Sequence, residues 1–271
     1  MSDPGSGELL SLRDVTVTMG GHAALSGVSV SFPEGKSTVI MGPSGSGKST
    51  LLKVAAGLVP PDAGSVRLRG QDVFYLPERK VMELRRTNGF VFQDGALWEN
   101  KTIFDNLALP LQVHFPEMTR ADVEKRVVRS LERMGMEESA ALRPAQLSGS
   151  ERKIASFLRA LIAEPTLVFM DEPTLAIDHA VAEKISLTIR ELKSRGCTLI
   201  AVTHDPQLTS TLADWLVVLE GGRLLEAGSF DAVKRTENSR VRSILAQVLG
   251  EISSYDTDLL ELLGHGGGAE N

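Results

Sequence analysis

Between residues 37 and 57 an apolar run, a glycine-rich loop and a second apolar run follow one another without a gap. Ser37-Thr38-Val39-Ile40-Met41 reads as a short buried strand. Leu51-Leu52-Lys53-Val54-Ala55-Ala56 reads as a helix that Gly57 stops. Joining them, Gly42-Pro43-Ser44-Gly45-Ser46-Gly47-Lys48-Ser49-Thr50 fits the pattern G-x-x-x-x-G-K-[ST]. Glycines let the backbone curl so that successive N–H groups point at one anion, and the helix N-terminus adds positive potential there. Lys48 would reach the β- and γ-phosphates of a nucleoside triphosphate, and the Ser49 hydroxyl would hold Mg²⁺.

Composition narrows the partners. A chain of 271 residues can bury a sizeable core in one or two domains. Its net charge of -6 argues against nucleic-acid binding through a broad basic face. The single cysteine, Cys197, excludes an intrachain disulfide and fits a reducing compartment. It opens the apolar run to Val202 and reads as a small core residue. Met1 to Glu8 is polar and lacks the apolar core of a signal peptide. No apolar run approaches the roughly 18–20 residues that span a bilayer, so a membrane role is expected to come through a partner.

Along the chain, Leu10 to Val17 and Val28 to Phe32 are expected as strands. Val66-Arg67-Leu68 and Asp72-Val73-Phe74 suggest an antiparallel edge. Glu78 to Arg86 is expected as a helix and Gly89 to Phe92 as a buried strand. Then the pattern changes. Arg120 to Met134 carries Val123, Val127, Val128, Leu131 and Met134 at helical spacing, and Ser150 to Ala163 carries Ile154, Phe157, Leu158, Leu161 and Ile162. Beyond this helical block, Thr166 to Met170 and Thr198 to Val202 are continuous apolar runs of the kind buried in parallel sheets, with a helix from Ala180 to Lys193 between them. Trp215 to Glu220 and Arg223 to Ala227 flank Gly221-Gly222 as a hairpin. In the tail, Val241, Ile244, Leu245, Val248, Leu249 and Ile252 form one helical stripe, and Leu259, Leu260, Leu262 and Leu263 follow. That tail either packs on its own domain or clasps a neighbouring subunit.

Leu167-Val168-Phe169-Met170 leads directly into Asp171-Glu172-Pro173. Two carboxylates at the end of a buried strand, beside a phosphate loop, suit hydrolysis: Asp171 would hold Mg²⁺ and Glu172 would polarise the attacking water. Leu147-Ser148-Gly149-Ser150-Glu151 opens the second helix of the block, Gln93 follows Phe92, and His204 follows the last parallel strand.

With this ordered set, from about residue 10 to 230, the chain resembles the ATP-binding cassette (ABC) ATPases, the motor subunits of ABC transporters. The resemblance implies an α/β fold: a P-loop (RecA-like) parallel-sheet core, an antiparallel β edge and an inserted α-helical subdomain. Residues 1–92 and 165–239 would be the nucleotide-binding core, 93–164 the helical subdomain, and 240–271 a helical extension and tail. It implies ATP and Mg²⁺ as ligands and a homodimer with two ATP molecules sandwiched head to tail. The phosphate loop of one copy would face Ser148, Gly149, Ser150 and Glu151 of the other, where a helix N-terminus offers N–H and O–H donors to a γ-phosphate. By the same resemblance Gln93 senses Mg²⁺ and water, His204 contacts the γ-phosphate, and Asp178 works across the dimer interface. His22, His114, His179 and His265 match no catalytic position and are expected to be solvated.

Three positions depart from the family pattern. Ser150 replaces the second glycine of the signature, where its Cβ would crowd the phosphate. Glu151 replaces a glutamine, placing a negative charge near a triphosphate. Met19 stands where an aromatic stacks on adenine and would be a weaker platform. Lys48, Asp171, Glu172 and His204 are all present, so hydrolysis is still expected.

The stretch Phe92-Gln93-Asp94-Gly95-Ala96-Leu97-Trp98, with Thr102 to Leu111 after it, is similar to a pattern of Mla/Mce-type phospholipid-transport ATPases. That implies a permease pair, an Mce-type lipid-binding protein beyond it, and a peripheral place on the cytoplasmic face of the inner membrane. The helical block would form the groove that receives a permease coupling helix, and Leu107, Leu109 and Leu111 would fill its core. Three alternatives stay open: a lipoprotein-releasing or cell-division ABC ATPase, a soluble non-transport ABC ATPase, and a regulatory nucleotide-binding module without turnover.

Overall fold

The computed structural model describes residues 7–250, with side chains to Gln247. The expectations for Ile252, for Leu259 to Leu263 and for His265 lie outside the described residues, as do the side chains of Val248 and Leu249.

Two sheets organise the described chain. The larger has the strand order β10-β9-β3-β8-β7-β6. Its members are β3 (Ser37–Met41), β6 (Asn88–Val91), β7 (Leu167–Asp171), β8 (Thr198–Val202), β9 (Trp215–Glu220) and β10 (Arg223–Ser229). Strands β9, β3, β8, β7 and β6 run parallel, and β10 turns back antiparallel at the edge. The smaller sheet is antiparallel, in the order β2-β1-β4-β5, from β1 (Glu8–Met19), β2 (His22–Pro33), β4 (Ala63–Leu68) and β5 (Gln71–Asp72).

The continuous apolar runs have a direct explanation in the packing. Successive residues of a strand face opposite sides, and both sides of the large sheet are covered. Ile40, Phe169, Ile200 and Val217 point into a core shared with the antiparallel sheet and with α1 (Lys48–Ala55). Val39, Met170, Ala201 and Val218 point into a second core on the other face. That second core is continuous with the helical block: α3 (Ile103–His114), α4 (Arg120–Met134) and α5 (Gly149–Leu161). It also takes in α6 (His179–Ser194), α7 (Pro206–Leu212), α8 (Phe230–Lys234) and α9 (Ser239–Gly250). The remaining helix, α2 (Glu78–Thr87), has no fully buried residue.

Several expectations need correction. Asp72-Val73-Phe74 shrinks to the two-residue β5, because Asp72 Oδ1 accepts from the Phe74 amide and starts a turn. In α4, Val128 lies off the buried stripe and is exposed, since Val127 already takes the inward position. Cys197 precedes β8 and is half-buried, and burial pushes its thiol pKa up. His114 is half-buried rather than solvated, and burial first, then Arg85 and Arg86, pull its pKa down. Helix α9 packs Val241, Ile244 and Leu245 on the chain's own core.

Candidate active site

Strand β3 delivers the glycine-rich loop to the end of the parallel sheet, and α1 starts inside the loop at Lys48. Gly47 caps α1 in the left-handed region at φ 95°, and a Cβ there would lie 2.4 Å from the Ala24 carbonyl. Only glycine fits such an approach. The loop is also braced from outside. Gly222, in the turn between β9 and β10, donates its N–H to the Ser46 carbonyl at 3.2 Å and accepts from the Ser26 amide at 2.8 Å. The hairpin expected from Gly221-Gly222 therefore supports the phosphate loop as well as turning the chain.

The loop's functional groups are already drawn together. Lys48, 7% exposed, donates from Nζ to the Gly42 and Pro43 carbonyls at 2.8 and 2.9 Å. Its pKa is lowered chiefly by burial, against the pull of Glu172 and Asp171. Ser49 Oγ donates to Asp171 Oδ1 at 2.8 Å, so the two hard oxygens expected at Mg²⁺ are adjacent, although 122 residues apart in sequence. Ser46 Oγ is buried with no hydrogen-bond partner among the described residues, a polar atom left open inside the loop. Among the described residues no group of three or more acidic, histidine or cysteine side chains could hold a metal alone. The donors therefore suit an octahedral cation that takes most of its ligands from phosphate and water.

Glu172 sits at the mouth of the same cleft. Its φ is 48°, an uncommon backbone for a residue with a Cβ, and its amide is held by the Val202 carbonyl at 2.9 Å. The carboxylate accepts from the His204 amide at 3.2 Å, and His204 Nε2 lies 3.5 Å from its other oxygen. Burial raises the Glu172 pKa, with Asp171 adding to it, while the His204 amide, Lys48 and Lys153 oppose. A carboxylate so placed is a stronger base than one in water.

A cleft of about 430 Å³ gathers most of the expected residues: the loop from Ser44 to Thr50, with Gln93, Glu172 and His204. Asp171 stands just behind Ser49. Met19 is exposed beside the cleft, its sulfur 3.8 Å from Thr50 Oγ1. Ser148, Gly149, Ser150, Glu151 and Asp178 do not line it. They form a second cluster within the chain. Ser148 caps α5, and its Oγ accepts from the Glu151 amide at 3.2 Å. The Glu151 carboxylate turns back to accept from the Ser148 amide and hydroxyl at 2.8 and 2.7 Å, a capping box that lowers its pKa. Asp178 caps α6, and the Val181 amide and then the Ser150 hydroxyl hold its pKa down. The serine that departs from the family pattern is thus tied to Asp178. The charge on Glu151 is spent on its own helix start.

Two residues that the sequence analysis passed over join these clusters. Lys153, buried in α5, donates from Nζ to the Gln93 backbone carbonyl at 2.7 Å. Arg159, two turns on, donates to the Ala96 and Gly95 carbonyls at 2.7 and 3.4 Å. The signal for Lys153 was present: a lysine on the apolar stripe, four residues before Phe157.

The ABC transporter family model matches residues 25–175. The methionine import ATP-binding protein MetN of Brucella abortus is 36% identical over 245 residues, which are 90% of this chain and 66% of that protein. The chain thus spans 66% of the length of that relative. The intermembrane phospholipid transport system ATP-binding protein MlaF of Escherichia coli is 33% identical over 238 residues, 88% of each chain. Among solved structures, a dimeric ATP-binding cassette in a post-hydrolysis state with ADP and Pi superposes with a TM-score of 0.75 at 31% identity, covering 82% of this chain and 98% of that one. The chain belongs to the ABC transporter ATPase family.

Proposed function

We propose that this ABC-family chain is the ATP-hydrolysing motor of a membrane transporter, acting as a homodimer on a permease pair. The observation that carries the reading is the Ser49–Asp171 pair at 2.8 Å, with Glu172 and His204 around the same cleft. Lys48 and the loop amides would hold the triphosphate. Mg²⁺, held by Ser49 and Asp171 with Gln93 beside it, would offset charge on the phosphates. Glu172 would take the proton of the attacking water, and His204, held against it, would steady the γ-phosphate. Ser148 and Gly149 of a second copy would cap that phosphate. Losing it would release the dimer.

The transported class follows from narrower support, and we assign it to phospholipid. The stretch from Phe92 to Trp98 with Asp105-Asn106 resembles the Mla/Mce pattern, and MlaF is matched across 88% of its length. Asn106, fully buried, receives the Trp98 amide at 2.8 Å and donates to the Trp98 and Thr102 carbonyls at 3.1 and 2.9 Å. It fixes the loop that leaves Trp98 exposed. Nearby, Phe90, Phe92, Leu58, Pro110 and His114 line a groove of about 300 Å³ between the core and the helical block, the place this reading gives to a permease helix. An Mce-type protein would stand across the membrane. No described helix is long and apolar enough to cross a bilayer; on this reading the permease pair holds the chain at the cytoplasmic face.

The 36% identity to a methionine importer supports a second reading, an amino-acid importer. Purifying the chain from its own membranes and identifying the associated subunits and bound small molecules separates them. Phospholipid with a permease pair is expected. Methionine-stimulated turnover would favour the second reading, and recovery with ribosomes or DNA would overturn both.

A further inference from the structure

Lys153 is 6% exposed and sits on the apolar side of α5, next to Ile154 and one turn before Phe157. Burying an ammonium group is unfavourable unless something in the fold uses it. Its Nζ reaches the Gln93 backbone carbonyl at 2.7 Å, across 60 residues of sequence. The carboxylates that face it are Asp171 at the end of β7, Glu172 just after it, and Asp94 from the loop after β6. Gln93 itself lines the cleft with Glu172 and His204. One residue is therefore held by its carbonyl from α5 while its side chain borders the reacting centre. Helix α5 is also the helix that Ser148 caps.

We infer that Lys153 is a positioning residue for hydrolysis: by clamping the Gln93 carbonyl it fixes where the Gln93 side chain stands in the cleft, and links that position to the helix beginning at Ser148. The inference rests on Gln93 taking part in hydrolysis as proposed above. A shift of α5, whatever drives it, moves the Gln93 carbonyl with it. Arg159 holds the Gly95 and Ala96 carbonyls of the same loop, a second tie between that loop and α5.

The test is steady-state ATP hydrolysis by the full chain carrying Lys153→Met, Lys153→Arg, Gln93→Ala, or Lys153→Met with Gln93→Ala. Methionine keeps the length and apolar stem of lysine but offers no donor. Lys153→Met is expected to lower kcat on the order of tenfold with KM changed by less than about twofold. Lys153→Arg, which keeps charge and donors, is expected to recover most of that loss. In the Gln93→Ala chain, Lys153→Met is expected to cost less than about twofold, because the residue it positions is gone. Unchanged kcat in Lys153→Met overturns the inference, as does the full loss appearing again on top of Gln93→Ala. A Gln93→Ala chain with wild-type kcat removes the reading of Gln93 on which the inference stands. If Lys153→Met fails to fold, Lys153→Leu, which also lacks a donor, is measured by the same criteria.

Discussion

Glu172 is held in two unfavourable ways at once. A left-handed backbone at a non-glycine residue costs on the order of 1–3 kcal/mol, and burial penalises the charge. The stability consequence has a definite sign. Its folded pKa lies above the usual 4.5, so ionisation at neutral pH works against the folded state, and that cost vanishes below the unfolded pKa. Glu172→Gln is therefore expected to raise Tm at about pH 7.5. The gain should shrink as pH falls through the folded pKa towards 4.5. Thermal melts of both chains across pH check it, together with ATP turnover, which the variant should lose. Gly149 is the opposite case. Among the described residues, its chain neighbours and its own helix turn aside, nothing lies within 4 Å of a Cβ placed there, and its φ is not left-handed. Gly149→Ala should leave Tm unchanged or slightly higher, since alanine favours helix, while ATP-driven association falls because the methyl enters the surface offered to a second copy. Loss of both stability and association would mean instead that the glycine serves the chain's own fold.

The element scale shows why some features were legible in the sequence and others were not. The phosphate loop, β7 with Asp171-Glu172, and the α5 start at Ser148 are local: strand, turn and cap chemistry sit next to each other in the chain. The continuous apolar runs of β7 and β8 also give themselves away, because both faces of their sheet are covered. Helix α3 is legible in the sequence only as a motif segment, since Pro110 interrupts its helical pattern. The parallel pairing of β9 with β3 was missed because a hairpin signal between β9 and β10 says nothing of what lies on the other side. The φ of Glu172 and the reach of Lys153 to Gln93 depend on contacts across the fold, and no spacing rule encodes them. The brace from the β9–β10 turn belongs here too. A Cβ at Gly222 would lie 2.8 Å from the Ala24 carbonyl, and its φ of 72° already disfavours any other residue. Gly222→Ala should destabilise the chain by roughly 1–3 kcal/mol and weaken ATP affinity through the Ser46 carbonyl it supports. Denaturant melts paired with nucleotide titration test this, and wild-type affinity would show that the brace does not set the loop.

At the scale of the whole molecule, the proposed function makes the cleft and the α5 start two half-sites on one chain. The cleft has the phosphate loop, the Ser49–Asp171 pair and Glu172. The α5 start has Ser148 and an open Gly149, outside that cleft. Two copies placed head to tail would complete both sites, and the dimeric cassette with 31% identity shows that a related chain does assemble as a dimer. The most direct test uses two disabled chains, both carrying Glu172→Gln so that ATP persists. One also carries Lys48→Ala, and the other Ser148→Arg. Each alone lacks one half of both shared sites and should sediment as a monomer with ATP and Mg²⁺. Mixed, they rebuild one intact site, from Lys48 of one chain and Ser148 of the other, and an ATP-dependent dimer is expected. A mixture that stays monomeric, while the chain with Glu172→Gln alone dimerises, would contradict the shared nucleotide.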